Sequence, residues 1–316
     1  MTTILITGAS GQLGMSLKRI FNSKYEIIST TGNNNPTGSS MHLDVTNPML
    51  FKEVMETTNP DLVINLAALT NVDLCEKNPE LAYSINIGGM DNLVNAFKGP
   101  IIHVSTDYVF DGEDGPYKEE DTTNPLNVYG LSKLESEKLL LDHSENSLVI
   151  RSNVIYDYSS KSEASFLNWV VDSLTQEKEI NVVEDQWNNP TWTGSLAVVI
   201  DRAIDTQLTG LVHWGDGDLV SRFDFANKIA DVFNLKKSFN QIIITFKDLR
   251  KYKNLIWFLV ARLFYMDGIN AIFAVAAIYA TLVFGMSTTD IILLGIGTNT
   301  AAGIGSWIFS FIENKI

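Results

Sequence analysis

The sequence predicts an α/β protein with a doubly wound parallel sheet, a small second region and a C-terminal α-helical transmembrane hairpin. The amino terminus, TILITGASGQLGMSLKRIF, has the pattern of a buried strand, a glycine turn and an amphipathic helix. Strand-like runs then alternate with helical stretches, which is typical of a parallel sheet covered on both faces. Beyond Leu255 charges become sparse, and two long uncharged runs follow. The first two observations favour a Rossmann-like sheet, and the third favours the hairpin.

The glycine turn after the first strand predicts a dinucleotide site. Gly8, Gly11 and Gly14 would permit a tight turn, a close approach of the backbone to a pyrophosphate and close helix–strand contact. The N-terminus of the following helix would face the phosphates.

Further strands are expected near residues 25–29, 42–44, 61–66, 101–105 and 147–152. In such sheets ligands bind at the carboxyl ends of the strands. There the segments NLAAL, VSTDYVF and IRSNVIY break into loops, so we expect these loops to hold the chemistry.

Tyr129 and Lys133 stand four positions apart in NVYGLSK, at the entry to a predicted helix. Residues at this spacing lie on the same helix face, so a phenol and an ammonium could act on one ligand. The spacing alone is a weak signal, because such pairs also occur on solvated helix faces.

Composition excludes several classes of function. The 316 residues carry a formal net charge of -14, which argues against binding nucleic acid. The single cysteine, Cys75, can form no internal disulfide and fits a reducing compartment, where we expect it to be a structural thiol. The four histidines lack metal-ligand spacing, so we predict no metal and place them in packing or surface positions. A signal peptide is not predicted at the amino terminus, so the start of the chain is expected to stay in the cytosol.

Several motifs together resemble one family. They are TGASGQLG, LDVTN, NLAALTNVDLCEKNPELAYSIN, the segment from STDYVF to YGLSK, and EDQWNNPTWTG. From residue 1 to about 235 the chain is similar to the extended short-chain dehydrogenases/reductases of the dTDP-4-dehydrorhamnose reductase group. The resemblance implies a catalytic set of Thr106, Tyr129 and Lys133.

The chemistry of such a reduction agrees with these residue types. A hydride that reaches a sugar C4 carbonyl leaves an oxyanion that needs a proton, and a tyrosine with a pKa near 10 is a poor donor unless it is tuned. We expect the Lys133 ammonium beside the phenol to lower the pKa of Tyr129 and to hold the nicotinamide ribose. Thr106 would hydrogen-bond the carbonyl; its alternative role is to cap a turn at a strand end.

The cofactor is predicted to be NADP(H), with NAD(H) as the alternative. The second strand ends IISTTGNNN and lacks the acidic residue that binds the ribose 2'-hydroxyl in NAD-selective sheets. Ser29, Thr30 and Thr31 could instead bind a 2'-phosphate. The resemblance implies that Asp44 and Val45 contact the adenine and that Ala67, Ala68 and Thr70 line the path to the nicotinamide. The predicted cofactor-binding set is therefore Gly8, Ser10, Gly11, Gln12, Leu13, Gly14, Asp44, Val45, Ala67, Ala68, Thr70, Tyr129 and Lys133.

The substrate side is implied by the resemblance alone. It places Thr106, Tyr108, Asn153 and Trp187 near a nucleotide sugar, although Asn153 stands where many members carry an aromatic residue. An ordinary core position is the alternative for Trp187. GLVHWGDGDLVSRFDFANKIADVF is expected to form a strand and a helix of the smaller substrate domain.

We expect three regions: an NAD(P)-binding Rossmann domain over 1–152, a partial substrate-binding region over 153–240 that is interleaved with the sheet, and a membrane-embedded helical segment over 241–316. The substrate region is expected to be truncated, because the family's last segment is missing after about Leu235.

The uncharged runs between Asp267 and Asp290 and between Asp290 and Glu313 are each about the 20 residues that a bilayer needs. This stretch resembles a fragment of a major-facilitator-type, vacuolar effluxer-like transporter, so a gene fusion near residues 240–246 is the simplest account. Basic residues flank both runs but not their connection, which predicts a hairpin with cytosolic ends. Residues about 255–312 would then anchor a cytoplasmic catalytic part to the inner membrane.

The implied function is NADPH-dependent reduction of the C4 keto group of a nucleotide-linked 6-deoxysugar. Three alternatives stay open: a nucleotide-sugar epimerase or dehydratase, a non-catalytic regulatory subunit of the methionine adenosyltransferase type, and an inactive fusion with a transporter fragment. The expected partners are the nucleotide sugar and a membrane, with a homodimer as a further option.

Overall fold

A computed structural model describes residues 1–21, 23–32, 40–158, 165–237 and 239–242. The chain divides into two units, Met1–Ile243 and Ile244–Ile316, and all described residues lie in the first.

The described residues form strands and helices in regular alternation. The strands are β1 Thr3–Thr7, β2 Glu26–Thr31, β3 Met41–His42, β4 Leu62–Asn65, β5 Ile101–Thr106, β6 Leu148–Ser152, β7 Ile155–Tyr156, β8 Ile180–Val183, β9 Trp187–Asn188, β10 Thr191–Trp192, β11 Gly210–Trp214, β12 Val220–Ser221 and β13 Phe239–Ile242. The α-helices are α1 Gln12–Phe21, α2 Pro48–Thr58, α3 Val72–Lys77, α4 Pro79–Tyr83, α5 Gly89–Ala96, α6 Val128–His143, α7 Phe166–Thr175, α8 Thr193–Thr206 and α9 Arg222–Val232. A π-helical turn, Ser84–Gly88, joins α4 to α5, and a 3-10 turn, Asp107–Val109, follows β5.

Seven parallel strands form the main sheet, in the order β11-β6-β5-β4-β1-β2-β3. The chain adds β2 and β3 on one side of β1 and then crosses over to add β4, β5, β6 and β11 on the other side. In such sheets this switch point, here between β1 and β4, opens a crevice at the carboxyl ends of the strands, and ligands bind there. The predicted Rossmann-like parallel sheet is therefore confirmed.

The sheet is covered on both faces because its strands are apolar on both faces. Alternate residues of β1 show this: Ile4 and Ile6 pack with the helices α1 and α8, whereas Leu5 packs with α2 and α5. The α1 helix begins directly after the glycine turn, and its buried residues Leu13, Leu17 and Phe21 are those predicted from their spacing.

A smaller core lies beside the sheet. It is built from α7, α9 and strands β8 and β12, with Val170, Ala226 and Ala230 fully buried. The strand Gly210–Trp214 differs from the prediction. It is not part of this smaller core, because it pairs with β6 in parallel and forms the edge of the main sheet.

Among the described residues, none of the helices is long and apolar enough to cross a membrane. The two predicted transmembrane runs lie beyond residue 242, outside the described residues.

A buried ion pair joins β6 to α6. The Arg151 guanidinium donates through Nε to both carboxylate oxygens of Glu137, each at 3.1 Å, and through Nη2 at 2.7 Å. The two side chains are only 7% and 2% exposed. Water cannot solvate either charged group at this depth, so each charge is stabilised by the other.

We expect Arg151→Met to lower the free energy of unfolding by about 3–5 kcal/mol, because it leaves a buried carboxylate unpaired. Lys138→Met is the matched control, since the pair that Lys138 forms with Glu135 is exposed and should contribute at most about 1 kcal/mol. Urea unfolding of the two variants provides the measurement. Equal, small losses in both would show that the Arg151 pair is not needed for stability.

Candidate active site

The tyrosine and lysine of the sequence pair lie on the first turns of α6. Asn127 caps this helix by accepting from the Gly130 N–H at 2.7 Å, and Glu76 accepts from the Val128 N–H at 2.6 Å. Side-chain acceptors at these positions satisfy N–H groups that have no partner within the helix. The start of α6, and with it Tyr129, is therefore fixed from two sides.

Thr106 is the last residue of β5 and lies against Tyr129. The Thr106 hydroxyl interacts with the phenol of Tyr129, donates to Asp107 Oδ1 at 3.1 Å and accepts from the Tyr108 N–H at 3.3 Å. The rings of Tyr108 and Tyr129 meet edge to face, with centroids 5.7 Å apart. The structure thus brings Thr106, Tyr108 and Tyr129 together at the carboxyl edge of the sheet.

The closeness of α6 to this edge depends on Gly130. A Cβ atom built on Gly130 would overlap the carbonyl oxygen of Tyr108 and come within 3.2 Å of Pro125. Only a residue without a side chain lets the two backbones approach this closely.

Lys133 is buried on the first turns of α6. Its Nζ donates to the carbonyl oxygen of Val104 at 2.8 Å and lies 3.0 Å from Nε2 of His103. Burial lowers the pKa of Lys133 to about 8 and raises the pKa of the Tyr129 phenol, a rise that the Thr106 hydroxyl opposes. The net shift of the phenol pKa is therefore upwards, and not the lowering that the sequence predicted.

Asp107 adds a titratable carboxyl beside the phenol. Burial raises its pKa to about 6, against the effect of its hydrogen bond with Thr106. At pH 7 most of the Asp107 carboxyl is therefore still ionised, and its negative charge adds to the rise in the pKa of Tyr129.

Two glycines shape a cradle for a cofactor. Gly8 has a positive φ of 63°, and a Cβ there would come within 2.9 Å of the backbone nitrogen of Ala67. A Cβ on Gly14 would come within 2.7 Å of the Ala9 backbone. The loop after β1 therefore packs against the loop after β4 and against α1. The N–H groups of Ala9 and Gly11 already donate to the carbonyl oxygens of Thr30 and Gly8, at 2.9 and 3.0 Å.

The other predicted cofactor residues differ in how accessible they are. Ser10 and Gly11 are exposed on the loop, and the Gln12 side chain accepts from the Asp157 N–H at 3.0 Å. The side chain of Leu13 is buried in the core, so only its backbone could reach a cofactor. Asp44 and Thr70 are exposed, while the remaining three predicted residues are half-buried: Val45, Ala67 and Ala68.

The predicted 2'-phosphate contacts are partly wrong. Ser29 and Thr30 are buried, and the Thr30 hydroxyl donates to the carbonyl oxygen of Ile6 at 3.2 Å within the sheet. Thr31 is also buried, but its hydroxyl lies 3.3 Å from that of Ser10 on the glycine loop. The Thr30 hydroxyl is therefore not available to a 2'-phosphate, whereas contacts through the backbone of these residues stay a prediction.

Of the predicted substrate residues, Thr106 and Tyr108 are in contact, whereas within the described part of the chain no contact joins Asn153 or Trp187 to them. Asn153 follows the end of β6 at Ser152, which pairs with Thr106 in the sheet, so Asn153 lies beside the catalytic edge. Trp187 lies on β9, which pairs with β12, and its side chain is 60% exposed. The alternative core position of Trp187 is therefore wrong.

His103 was missed by the sequence prediction, which assigned the histidines to packing or surface positions. It is buried on β5 and reaches Asn65 with one ring nitrogen and Lys133 with the other. The only sequence signal is its place three residues before Thr106 on the same strand.

Cys75 is buried as expected, its thiol donates to Leu69 O at 3.5 Å, and burial raises its pKa. Groups of acidic, histidine or cysteine residues able to hold a metal ion are not found within the described part of the chain.

Comparison with known proteins agrees with this geometry. The family model RmlD substrate binding domain matches residues 1–248, and a second model, Vacuole effluxer Atg22 like, matches residues 224–316. The dTDP-4-dehydrorhamnose reductase of Aggregatibacter actinomycetemcomitans is 36% identical over 245 residues, which are 73% of this chain and 79% of that protein. Methionine adenosyltransferase 2 subunit beta of Xenopus tropicalis is 30% identical over 74% of this chain and 73% of its own length. A solved dTDP-4-dehydrorhamnose reductase from Bacillus anthracis, in complex with NADP, has a TM-score of 0.69 and 31% identity over 78% of this chain and 86% of its own.

The fold and the site define a Rossmann-type protein with a tyrosine–lysine pair at the carboxyl edge of its sheet. The chain belongs to the RmlD substrate binding domain family.

We predict that Gly130→Ala lowers turnover at least about tenfold and the free energy of unfolding by about 1–3 kcal/mol, because the added methyl forces α6 away from the Tyr108 carbonyl. Gly217→Ala is the matched control, since a Cβ there meets nothing within 4 Å. Turnover and urea unfolding should be measured for both. A Gly130→Ala variant as active and stable as the control would contradict the close approach.

Proposed function

We propose that the chain is an NADPH-dependent oxidoreductase that reduces the C4 keto group of a nucleotide-linked 6-deoxysugar, dTDP-4-dehydrorhamnose. The contact between Thr106 and Tyr129 at the carboxyl end of β5 carries this proposal. It occurs in a chain that is 36% identical to a dTDP-4-dehydrorhamnose reductase.

NADP(H) is the favoured cofactor, and NAD(H) is the alternative. The residues fit a dinucleotide, because only glycine at positions 8 and 14 lets the loop after β1 approach the Ala67 backbone and pack against α1 this closely, as in the glycine turn of dinucleotide-binding sheets. The relative from Bacillus anthracis that was solved with NADP supports the choice. When bound, the cofactor supplies the hydride.

The proposed catalytic roles follow from the donors at the edge of the sheet. Tyr129 donates its phenolic proton to the oxygen of the substrate carbonyl, and Thr106 donates a hydrogen bond to the same oxygen. A buried phenol with a raised pKa is a weak acid, so the proposed donation by Tyr129 needs the Lys133 ammonium, on the same helix, to favour the phenolate. The same ammonium would then hold the ribose of the cofactor.

We assign the sugar nucleotide to Tyr108, Asn153 and Trp187. Tyr108 contacts the ring of Tyr129, and Asn153 follows the strand next to Thr106. The exposed indole of Trp187 offers an apolar face to a base or a sugar.

The proposed regions are a cofactor domain over 1–152, a substrate region over 153–240 and a membrane segment over 241–316. Support for the last comes from the sequence pattern and from the match of residues 224–316 to the effluxer-like model. We propose that this segment is a transporter fragment fused to a cytosolic reductase, which could also form a homodimer.

A second candidate is a non-catalytic binding subunit, because the methionine adenosyltransferase subunit is also a relative. One experiment separates the two functions. The full-length chain is mixed with NADPH and dTDP-4-dehydrorhamnose while the nicotinamide absorbance is followed. Loss of absorbance that depends on the sugar supports the reductase. Binding of NADPH without sugar-dependent oxidation supports the binding subunit instead.

Tyr129→Phe should lower turnover by about 10²- to 10⁴-fold with little loss of fold, because it removes the proton donor and keeps the ring. Tyr83→Phe, on the neighbouring helix α4, controls for the loss of a hydroxyl. Steady-state rates and circular dichroism of the two variants provide the measurement. Near-normal turnover of Tyr129→Phe would remove this residue from the mechanism.

Cofactor preference gives a further prediction. The unmodified protein should use NADPH better than NADH in kcat/KM. Gly32→Asp should move the preference towards NADH, because a carboxylate after β2 repels a 2'-phosphate and accepts from a 2'-hydroxyl. Gly32 is exposed and a Cβ there comes no closer than 3.9 Å to Leu43, so the backbone tolerates the change. A preference of the unmodified protein for NADH above about tenfold, which is about 1.4 kcal/mol, would contradict this prediction.

A further inference from the structure

The carboxylate of Asp107 receives the proton of the Thr106 hydroxyl. Thr106 Oγ1 donates to Asp107 Oδ1 at 3.1 Å and accepts from the Tyr108 N–H at 3.3 Å. A hydroxyl has one proton and two lone pairs, so the donation to Asp107 uses the whole donor capacity of Thr106. The oxygen of a bound substrate cannot receive the same proton at the same time.

Two acidic groups compete for this one proton. Donation by Thr106 stabilises the ionised form of Asp107 and also the ionised form of Tyr129, and so opposes the rise in both pKa values. At pH 7 most of Asp107 is a carboxylate and Tyr129 is a phenol, so the carboxylate receives the proton. The proposed reduction turns Tyr129 into a phenolate beside the substrate oxygen. Both of these groups then lack the Thr106 donor.

Protonation of Asp107 reverses this hydrogen bond. The carboxyl O–H can donate to the Thr106 oxygen, which keeps its other lone pair for the Tyr108 N–H. The two oxygens can stay 3.1 Å apart, because only the two protons change their positions. The proton of Thr106 is then free to point at the substrate oxygen or at the phenolate of Tyr129.

We propose that Asp107 is a positioning residue that directs the Thr106 hydroxyl: its carboxylate holds the Thr106 proton away from the substrate, and its protonated form releases that proton towards the substrate. This inference rests on the proposed function, in which Thr106 donates to the oxygen of the substrate carbonyl. Turnover therefore follows the protonated fraction of Asp107.

The titratable and charged groups around Asp107 come from several elements. Tyr108 belongs to the same 3-10 turn, Tyr129 to α6 and Arg222 to the start of α9, while Cys75 of α3 lies near Tyr129. The Arg222 guanidinium lowers the pKa of Asp107, but burial raises it more. Burial also raises the pKa of Tyr129 and of Cys75, so both stay neutral below about pH 7.5. Asp107 is thus the group beside Thr106 that changes charge near pH 6.

The pH profile of kcat/KM tests this dependence, with the full-length chain, saturating NADPH and varied dTDP-4-dehydrorhamnose. With a pKa of about 6, the protonated fraction of Asp107 falls more than about tenfold between pH 5.5 and 7.5. We expect kcat/KM to fall by at least about tenfold over the same range. A constant kcat/KM up to pH 7.5, with a decline only near the pKa of Lys133 at about 8, would overturn the proposal.

Asp107→Asn separates this effect from titration of the substrate or the cofactor. The amide does not ionise, and its Nδ2 donates to the Thr106 oxygen at every pH, so the Thr106 proton stays free. We expect this variant to lose the decline and to exceed the unmodified chain in kcat/KM at pH 7.5 by at least about fivefold. Asp142→Asn, at an exposed position of α6, is the matched control and should keep the decline. An Asp107→Asn variant with the same decline as this control would contradict the role of Asp107.

Carboxyl ¹³C NMR tests the hydrogen bond without turnover. In the full-length chain labelled at aspartate Cγ, the Asp107 signal is the one that Asp107→Asn removes. Thr106→Val should raise the pKa of Asp107, because valine cannot donate to the carboxylate. Thr122→Val, at an exposed position, is the control and should leave that pKa unchanged. An Asp107 pKa that Thr106→Val does not raise overturns the inference, whether or not the chain is a reductase. Absence of sugar-dependent NADPH oxidation at every pH overturns the proposed function instead.

Discussion

The close approach of α6 to the turn after β5 is the constraint on which the rest of the site depends. At Gly130 the helix backbone lies against the carbonyl of Tyr108, and no side chain separates them. The sheet provides a rigid edge because β5 is paired with a parallel strand on each side. Tyr129 therefore meets Thr106 through backbone packing. Asn127 and Glu76 cap the same first turn of α6. The contacts that stabilise the start of the helix therefore also position Tyr129.

Burial opposes the chemistry that this geometry permits. The pKa values of the Tyr129 phenol and the Lys133 amine are both shifted in the direction that favours the neutral form, because a buried site disfavours charge. Such a phenol is a weak proton donor unless a positive charge favours the phenolate. Contacts with the Val104 carbonyl and with His103 give the amine of Lys133 a defined place on the same helix as Tyr129.

The sequence predicts the parallel sheet well, since glycine turns and alternating apolar runs are local signals. The strands of the sheet between residues 26 and 152 begin and end within two residues of the expected positions. The direction in which a polar side chain points cannot be predicted from the local sequence. Thr30 bonds a neighbouring strand, and Lys133 turns inwards to His103, because partners far along the chain decide both. The same holds for β11, which joins the sheet through β6.

The central claim is that this chain delivers a hydride to C4 of a nucleotide-linked 6-deoxysugar. Its most direct test uses NADPH carrying deuterium at the transferable position of the nicotinamide, with dTDP-4-dehydrorhamnose as substrate and the full-length chain as catalyst. The product is then examined by NMR and mass spectrometry. The account predicts one deuterium, located at C4 of the sugar. A product without deuterium, or deuterium at another carbon, would contradict it.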